Sequence, residues 1–461
     1  MTSLSQSLKV MALAGPTLTA LALATGANSL ASLPTLVSSS MVGGGRHSNA
    51  SAVARAGSFA FRRPSSGLTV LYSFQGSPDG ASPSGPVTLD DNGDIFGVTA
   101  TGGNSNVTGC GNENSYGTVY ELTPSAGSYE ESIIHRFNSK DGCDPLGAVV
   151  VDAAGRVFSA AHFGGQNYAG TVVALAPVYL NPAAAGYREA AVYSFGQAEQ
   201  GDYPTGGIIE SGGALYTTAG AGGASNDGAI VAFTDPGLTA TDVYAFKGRS
   251  KTTADGASPW GTLFAGSSGM LYGTTSSGGD TGKSAPRCVD GCGTVFSFLP
   301  SPSGGAETVI WRFTPGLGEY PYSGVVVDPS GNIYGTTHSG GPSNYGIVFK
   351  LTPAARGFSE TILHTFDPGT QSQPTYDGTM PGGLVLVGST LYGVTVQGGS
   401  EGSGTIYEVS TNGSGYEILH DFTGPDGAVP VGSLVWNGTS FYGTTAAGGN
   451  SYRGTVFQFS P

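Results

Sequence analysis

The sequence predicts an all-β fold in which residues 67–461 form a seven-bladed β-propeller with four-stranded blades. Three observations lead to this prediction. The composition suits short strands joined by turns, one sequence unit recurs seven times, and the strand types at the two ends of the repeat region complement each other.

The composition is rich in glycine and aromatic residues and poor in charge. Glycine accounts for 78 of 461 residues, more than twice its usual frequency of about 7%, without a collagen period. Tyr and Phe number 22 and 21, while charged residues make up only 11%. Glycine supplies turns, and aromatic and β-branched residues favour strands, so many short strands are expected.

The repeat is marked by a Gly-Gly pair that recurs about every 50–60 residues, a spacing typical of repeat architectures. A run such as Leu271–Thr275 precedes each pair, and a run such as Gly293–Phe296 follows it. A third run ends each time in Phe, at Phe74, Phe137, Phe195, Phe246, Phe313, Phe366 and Phe422. Seven markers of each kind predict seven blades.

Each unit contains four strand signals separated by turn sequences such as Asp91-Asn-Gly93. In one unit, numbered outward from the axis, we expect strand A at Val325–Val327, B at Ile333–Thr337, C at Ile347–Leu351 and D at Glu360–Phe366. Four-stranded units repeated in this way are typical of propellers.

The ends of the repeat region indicate a closed ring. It begins with a D-type strand at Leu68–Phe74 and ends with a C-type strand at Thr455–Ser460. The N-terminal strand is therefore predicted to complete the last blade.

These motifs resemble those of the GloVer tandem-repeat family of exported bacterial proteins, often labelled "choice-of-anchor". The resemblance covers nearly all of residues 68–461 and rests on Tyr-Gly-Thr-Thr, Gly-Gly, Gly-Thr-Val-Phe and an Asp-Gly-x-x-Pro turn. It implies no established reaction.

The N-terminal segment predicts export. Residues 1–24 have a cation, Lys9, an apolar stretch from Val10 to Ala24 and a small-x-small sequence at Ala22–Ala24, which is the arrangement of a signal peptide. Residues 25–66 are rich in Ser, Ala and Gly and predict a flexible lead-in. We therefore expect a periplasmic or extracellular protein with no membrane attachment after cleavage.

The charge of −14 disfavours nucleic acid as a partner, because phosphate backbones bind clustered cations and the chain has no basic run. A monomer is expected, with an extracellular glycan or protein as the candidate ligand.

The longest connections, D–A and B–C, share one face of the predicted ring, so binding is expected there. Aromatic residues in these loops could form a platform for sugar rings or peptide side chains, or could cap the seams between blades. The candidates are Tyr116, Tyr168, Tyr203, Trp260, Tyr320, Tyr345, Tyr376 and Tyr452. His162 and His338, two residues before a Gly-Gly pair, should reach the same face.

Five D–A loops carry the Asp-Gly-x-x-Pro turn, which begins at Asp79, Asp141, Asp255, Asp377 and Asp426. The favoured interpretation is that each carboxylate accepts backbone N–H groups and fixes the turn. A ring of carboxylates that attracts Ca²⁺ or a cationic ligand is the alternative. His135, His364 and His420 share a position with tyrosines in other blades, so they are interpreted as packing residues.

The four cysteines predict two disulfides, Cys110–Cys143 and Cys288–Cys292, as suits an oxidising compartment. A four-thiolate zinc site is the alternative, but it would join blades that are not neighbours. No metal site or required cofactor is expected.

No catalytic motif for a nucleophile, a metalloprotease or a phosphate-binding loop occurs in a suitable context. The leading hypothesis is therefore a secreted binding or scaffold module rather than an enzyme. The alternative is an extracellular hydrolase or lyase that acts on polysaccharide or small molecules at the channel mouth. It requires carboxylate or His side chains with shifted pKa values there.

Overall fold

The computed structural model describes residues 67–103, 110, 116–181, 184–197, 200–234, 237–248, 255–279, 287–301, 304–370, 373–374 and 377–461. The predicted signal peptide, the predicted lead-in and the candidate Tyr376 lie outside these residues. In the described part of the chain, no helical segment has the length and hydropathy of a membrane span.

The described residues form seven antiparallel blades with four strand positions each, which confirms the predicted fold class. Strands A of blades 1–4 are Gly80–Pro83 with Thr88–Leu89, Cys143–Pro145 with Val150–Val151, Gly201–Pro204 with Ile209–Ser211, and Gly256–Pro259 with Phe264–Ala265. Those of blades 5–7 are Val326–Val327, Thr379–Val387 and Ala428–Trp436. Strands B are Ile95–Gly102, Val157–Phe163, Ala214–Gly222, Leu271–Gly278, Ile333–Thr337, Thr390–Gln397 and Phe441–Ala447.

Strands C are Thr118–Ser125, Thr171–Asn181, Ala229–Thr234, Thr294–Ser301, Ile347–Pro353, Thr405–Ser410 and Thr455–Ser460. Strands D are Ser128–Arg136, Ala184–Ser194, Thr239–Ala245, Gly304–Arg312, Phe358–Thr365, Glu417–Asp421 and Gly67–Ser73. A two-stranded ribbon, Gly369–Thr370 with Gln373–Pro374, lies in the connection between blades 5 and 6.

The ring closes through the last blade, as predicted. Gly67–Ser73 pairs antiparallel with Thr455–Ser460, so that Leu68 lies opposite Phe459. Blade 7 also contacts blade 1 near the axis, where the Thr444 hydroxyl donates to the Gly85 carbonyl at 2.8 Å. The first and last strands of the repeat region are thus bonded in one sheet.

The phenylalanine that ends each predicted strand D lies just beyond the strand. Its side chain is buried in all seven blades, and its N–H donates to a glycine carbonyl at the start of strand C, at 2.9–3.1 Å. Phe74 with Gly454 and Phe366 with Gly346 are examples. This residue therefore extends the C–D ladder while its ring fills the space between neighbouring blades.

Strand A differs from the prediction because its first half contains the motif assigned to the D–A loop. In blade 1, Gly80–Pro83 pairs with one end of strand B and Thr88–Leu89 pairs with the other. Tyr203, expected in a loop, therefore lies within strand A. In blade 5 the first half is reduced to a bridge between Glu319 and Ser339.

The residue before the strand A proline has a left-handed backbone in every blade. These residues, with φ between 51° and 58°, are Ser82, Asp144, Tyr203, Ser258, Tyr320, Met380 and Val429. In six blades the N–H of this residue donates to a B–C loop carbonyl of the preceding blade, for example Tyr203 to Ala169 at 2.7 Å. A bond between blades thus accompanies a conformation that is unfavourable for most side chains.

Glycines bring neighbouring A strands into backbone contact near the axis. A Cβ on Gly85 would lie 2.6 Å from the Gly147 backbone, and one on Gly261 would lie 2.4 Å from Gly324. A side chain larger than hydrogen would separate the blades at these points.

Candidate functional site

Both predicted disulfides are present. Cys110 bonds to Cys143 with Cα atoms 6.3 Å apart, and Cys288 bonds to Cys292 with Cα atoms 5.0 Å apart. The first joins the B–C loop of blade 1 to strand A of blade 2, and the second closes a B–C loop of blade 4. Because all four cysteines are paired, the alternative of a four-thiolate zinc site is wrong.

The five motif aspartates lie beside the turn that follows strand D. Each accepts the N–H of the residue after the strand D phenylalanine at 2.7–3.0 Å, and these donors are Gln75, Asn138, Lys247, Asp367 and Thr423. Asp79 and Asp377 also accept the N–H of the next residue. These bonds hold the start of the D–A connection against the motif aspartate.

The histidines that share a tyrosine position lie at the seams between blades. The His364 and His420 Nε2 atoms lie 3.0 and 2.9 Å from Asp377 and Asp426. The Tyr72 and Tyr244 hydroxyls bond to Asp79 and Asp255 in the same way. Tyrosine and histidine thus present the same kind of polar tip to the turn.

The B–C loop tyrosines do not form one surface. Tyr116 is 2% exposed, whereas Tyr168, Tyr345 and Tyr452 are 64%, 44% and 80% exposed. The three exposed tyrosines belong to blades 2, 5 and 7, which are not neighbours in the ring.

A continuous series of rings does run across blades 2 to 5. The His162 ring lies 5.7 Å from Tyr203 and 6.1 Å from Trp260. Trp260 contacts Tyr322 edge-on at 5.6 Å, and Tyr322 contacts His338 at 5.3 Å. We call this set the aromatic array; its members are His162, Phe163, Tyr203, Trp260, Tyr320, Tyr322 and His338.

The strand A proline determines where most of these rings lie. Tyr203 and Tyr320 are the left-handed residues before Pro204 and Pro321, whereas Trp260 and Tyr322 directly follow a proline. His162 lies near the end of strand B in blade 2, and His338 follows strand B of blade 5. The structure therefore brings together five sequence candidates, namely His162, Tyr203, Trp260, Tyr320 and His338.

Two members of the array, Tyr322 and Phe163, are not among the residues predicted from the sequence. Tyr322 occupies the same position after proline as Trp260, a signal that the sequence did contain. Phe163 follows His162, is 38% exposed and contacts both His162 and Tyr203. Adjacent residues of a strand normally face opposite sides, so the pattern did not favour this contact.

The array is confined to part of the ring. In four blades, neither residue beside the strand A proline is aromatic. These residues are Ser82 and Ser84 in blade 1, Asp144 and Leu146 in blade 2, Met380 and Gly382 in blade 6, and Val429 and Val431 in blade 7. The repeat is thus symmetric in backbone but not in the side chains around this proline.

A cleft of about 440 Å³ lies where the array ends, between blades 5 and 6. His338 and Tyr345 form one side, Met380 and Pro368 supply apolar surface, and Asn344 and Gln397 supply polar groups. His338 therefore belongs to both the cleft and the aromatic array.

Burial favours the neutral form of both histidines of the array. Burial lowers the pKa of His162, whose Nδ1 lies 2.9 Å from the Pro204 carbonyl. Burial also lowers the pKa of His338, and its Nε2 has no hydrogen-bond partner among the described residues. Uncharged imidazoles extend the apolar character of the array.

The Cys288–Cys292 loop braces the wall of the cleft. The Tyr320 N–H donates to the Cys292 carbonyl at 3.0 Å, and the Tyr320 hydroxyl donates to the Arg287 carbonyl at 2.7 Å. The Arg287 guanidinium donates to the side chain of Asn344, which lines the cleft.

Carboxyl groups with strongly raised pKa values lie mainly on the outermost strands. Burial raises the pKa of Glu131 and Glu307 to about 7 and that of Glu360 to about 8. All three are on strand D. Nearer the cleft, burial raises the pKa of Glu319, whose side chain faces Ser339.

The solved structures to which this chain is similar are remote in sequence. A gluconolactonase from Xanthomonas campestris is 11% identical, with 74% of this chain and 88% of that chain covered and a TM-score of 0.37. A Trypanosoma rangeli sialidase is 10% identical (86% and 60% covered, TM-score 0.45), and a Lactobacillus plantarum protein is 14% identical (73% and 84% covered, TM-score 0.45).

Among curated proteins there is no significant match. A family model does match, over residues 105–285, 251–390 and 371–461, which together span most of the propeller. The expected family resemblance is thereby confirmed. The chain belongs to the Gloeobacter/Verrucomicrobia repeat family.

Proposed function

We propose that this protein is an exported binding module that holds a neutral oligosaccharide in the cleft between blades 5 and 6 and along the aromatic array. One observation carries the proposal: His338 lines the cleft and also contacts Tyr322 of the array, at 5.3 Å. A ligand seated in the cleft can therefore continue onto the rings of blades 2 to 5.

The chemistry of the two surfaces suits sugar rings. The faces of aromatic side chains bury the apolar faces of sugar rings, while amide and hydroxyl groups bond to the sugar hydroxyls. The cleft offers Asn344, Gln397 and Thr379 for those bonds. The net charge of −14 disfavours anionic polymers, which supports a neutral ligand.

Export is part of the proposal. Two disulfides suit an oxidising compartment, and the sequence of residues 1–24 predicts a signal peptide. The binding mode uses rings, amides and hydroxyls, so it requires no cofactor, and Ca²⁺ is not needed for contact with the sugar.

The test is calorimetric titration of the full chain with a panel of neutral oligosaccharides. We expect Tyr345→Ala and Trp260→Ala each to weaken binding by about 1–1.5 kcal/mol, roughly tenfold at the upper end, because each removes one stacking ring. Tyr452→Ala is the control, since it removes an exposed loop tyrosine of blade 7. Absence of binding, or equal loss in all three variants, would refute the proposal.

A hydrolase is the second candidate, favoured by Glu319. This carboxyl group is 3% exposed, has a raised pKa because of burial and faces Ser339 at the cleft. A group of that kind can act as a general acid. Chromatography of oligosaccharides incubated with the protein decides the matter: turnover that Glu319→Gln abolishes would establish hydrolysis, and unchanged oligosaccharides would exclude it for that panel.

A further inference from the structure

The seam between blades 1 and 2 contains three side chains with metal-binding atoms. They are His135 on strand D of blade 1, Asp141 in the following turn and Glu189 on strand D of blade 2. One ligand atom of each lies within 4.8 Å of the others. Asp141 is buried, His135 is partly buried and Glu189 is exposed, so the group opens to solvent on one side.

His135 is the residue that distinguishes this seam. Its Nε2 is buried without a hydrogen-bond partner among the described residues and lies 3.6 Å from the Asp141 carboxylate. A buried nitrogen left unpaired is costly, and most such atoms have a partner in folded proteins. The Asp141 carboxylate is held in place by the N–H and side chain of Asn138.

In other seams of the same ring, the polar atoms at the equivalent positions have hydrogen-bond partners within the protein. The Tyr244 hydroxyl donates to Asp255 at 2.6 Å and lies 3.3 Å from Glu307, so one tyrosine contacts both carboxyl groups. At the seam between blades 6 and 7, His420 bonds to Asp426 at 2.9 Å. Leu68 of blade 7 occupies the position there that corresponds to Glu189. In the described seams, an imidazole that lacks a hydrogen bond and lies beside two carboxylates occurs only at His135.

We propose that His135, Asp141 and Glu189 bind a divalent transition-metal ion, with Zn²⁺ as the probe, that links the outer strands of blades 1 and 2. One imidazole and two carboxylates are ligands that Zn²⁺ accepts, and ligand atoms of a tetrahedral Zn²⁺ site lie about 3.4 Å apart, close to the present His135–Asp141 separation. Ca²⁺ fits less well because it prefers six to eight oxygen ligands. Glu189 is exposed, so an ion can reach the three side chains from solvent.

The repeat provides its own control substitutions. His135→Tyr replaces the imidazole by the residue that the seams of blades 7–1 and 3–4 already accept, as Tyr72 and Tyr244, so the variant should fold. Glu189→Gln removes one charge from an exposed side chain. His420→Tyr makes the same ring change where no second carboxylate occupies the corresponding position.

The experiment is calorimetric titration of the metal-free full chain with Zn²⁺, combined with thermal unfolding with and without Zn²⁺. We expect one site that His135→Tyr and Glu189→Gln weaken about 100-fold or more, since loss of even an outer partner of a ligand costs about 10–100-fold. Zn²⁺ should raise the Tm of the wild-type protein and of His420→Tyr, but not that of His135→Tyr.

The converse substitution tests whether one histidine beside two carboxylates is enough to bind Zn²⁺ at another seam. Tyr244→His should create a second Zn²⁺ site with Asp255 and Glu307. The proposal is overturned if the wild-type protein does not bind Zn²⁺, if His135→Tyr binds it as tightly as the wild type, or if His420→Tyr reduces binding equally.

Discussion

Glu360, on strand D of blade 5, is a buried carboxyl group whose two oxygens have no hydrogen-bond partner among the described residues. Burial raises its pKa to about 8. Because the folded pKa lies above the unfolded value, the folded state binds the proton more tightly. The free energy of unfolding should therefore fall as pH rises from about 4.5 to about 8.

Glu360→Gln should remove the part of this pH dependence that Glu360 contributes, whereas Glu131 and Glu307 keep theirs. We expect the variant to gain about 1–3 kcal/mol relative to the wild type at pH 8, because Gln stays neutral where the buried Glu360 ionises, and no such gain at pH 4. Urea unfolding at both pH values measures the difference. Glu417→Gln, an exposed change on strand D of blade 6, is the control, and an equal gain in that variant would contradict the explanation.

Val429 combines a β-branched side chain with a φ of 58°, which costs about 1–2 kcal/mol. Its N–H bond to the Ser403 carbonyl, at 2.9 Å, connects blades 7 and 6 in this conformation. Asn tolerates the left-handed region far better, and the backbone bond would remain. Val429→Asn should therefore stabilise the protein by about 1 kcal/mol in urea unfolding, whereas destabilisation would show that the valine side chain contributes packing that outweighs the strain.

At the level of elements, the strand Gly67–Ser73 and the following Phe74 close the ring. A chain that begins at residue 67 retains all the described strands, whereas one that begins at residue 76 leaves the Thr455–Ser460 edge unpaired. We expect the first to unfold cooperatively like the full chain and the second to aggregate or unfold at a much lower temperature, because open edges and unfilled core sites are both costly. Equal Tm values would contradict closure by this strand.

The two disulfides should contribute unequally. Cys110 and Cys143 are 33 residues apart, whereas Cys288 and Cys292 are 4 apart. Loop-closure entropy gives about 4 kcal/mol for the first and about 2 kcal/mol for the second. The double Cys→Ala variants, compared by urea unfolding, should show that order. The reverse order would indicate that the shorter bridge stabilises the protein mainly through the contacts of its loop with Tyr320.

The sequence predicted correctly those structural features that are each marked by one residue type. Gly-Gly pairs, terminal phenylalanines and four cysteines correctly gave the blade number, the closure and the disulfides. The divided strand A was not predictable in the same way. The left-handed position holds Ser, Asp, Tyr, Met or Val, so the residue type at that position does not reveal its backbone conformation.

The candidate site was predicted only in part, for a similar reason. Five of the candidates from the sequence belong to the aromatic array, namely Tyr203, Trp260, Tyr320, His162 and His338. Their contact depends on how strand A turns around its proline in neighbouring blades, which is a three-dimensional property. Exposed tyrosines such as Tyr452 satisfied the same sequence criterion without joining the array.

Across the whole ring, seven nearly equivalent backbones carry unequal side chains. Blades 2 to 5 hold the aromatic array, and the cleft lies at the boundary with blade 6. Binding should therefore use one side of the loop-bearing face. Trp260 lies in the middle of that side, between His162 and Tyr322, which makes it a suitable reporter.

The most direct test uses the fluorescence of Trp260. The chain contains three tryptophans, so Trp311→Phe combined with Trp436→Phe leaves Trp260 as the only indole. Titration of this variant with the oligosaccharide found by calorimetry should give a saturable change in emission with the same Kd. Binding that leaves the Trp260 emission unchanged would contradict a ligand site on the aromatic array.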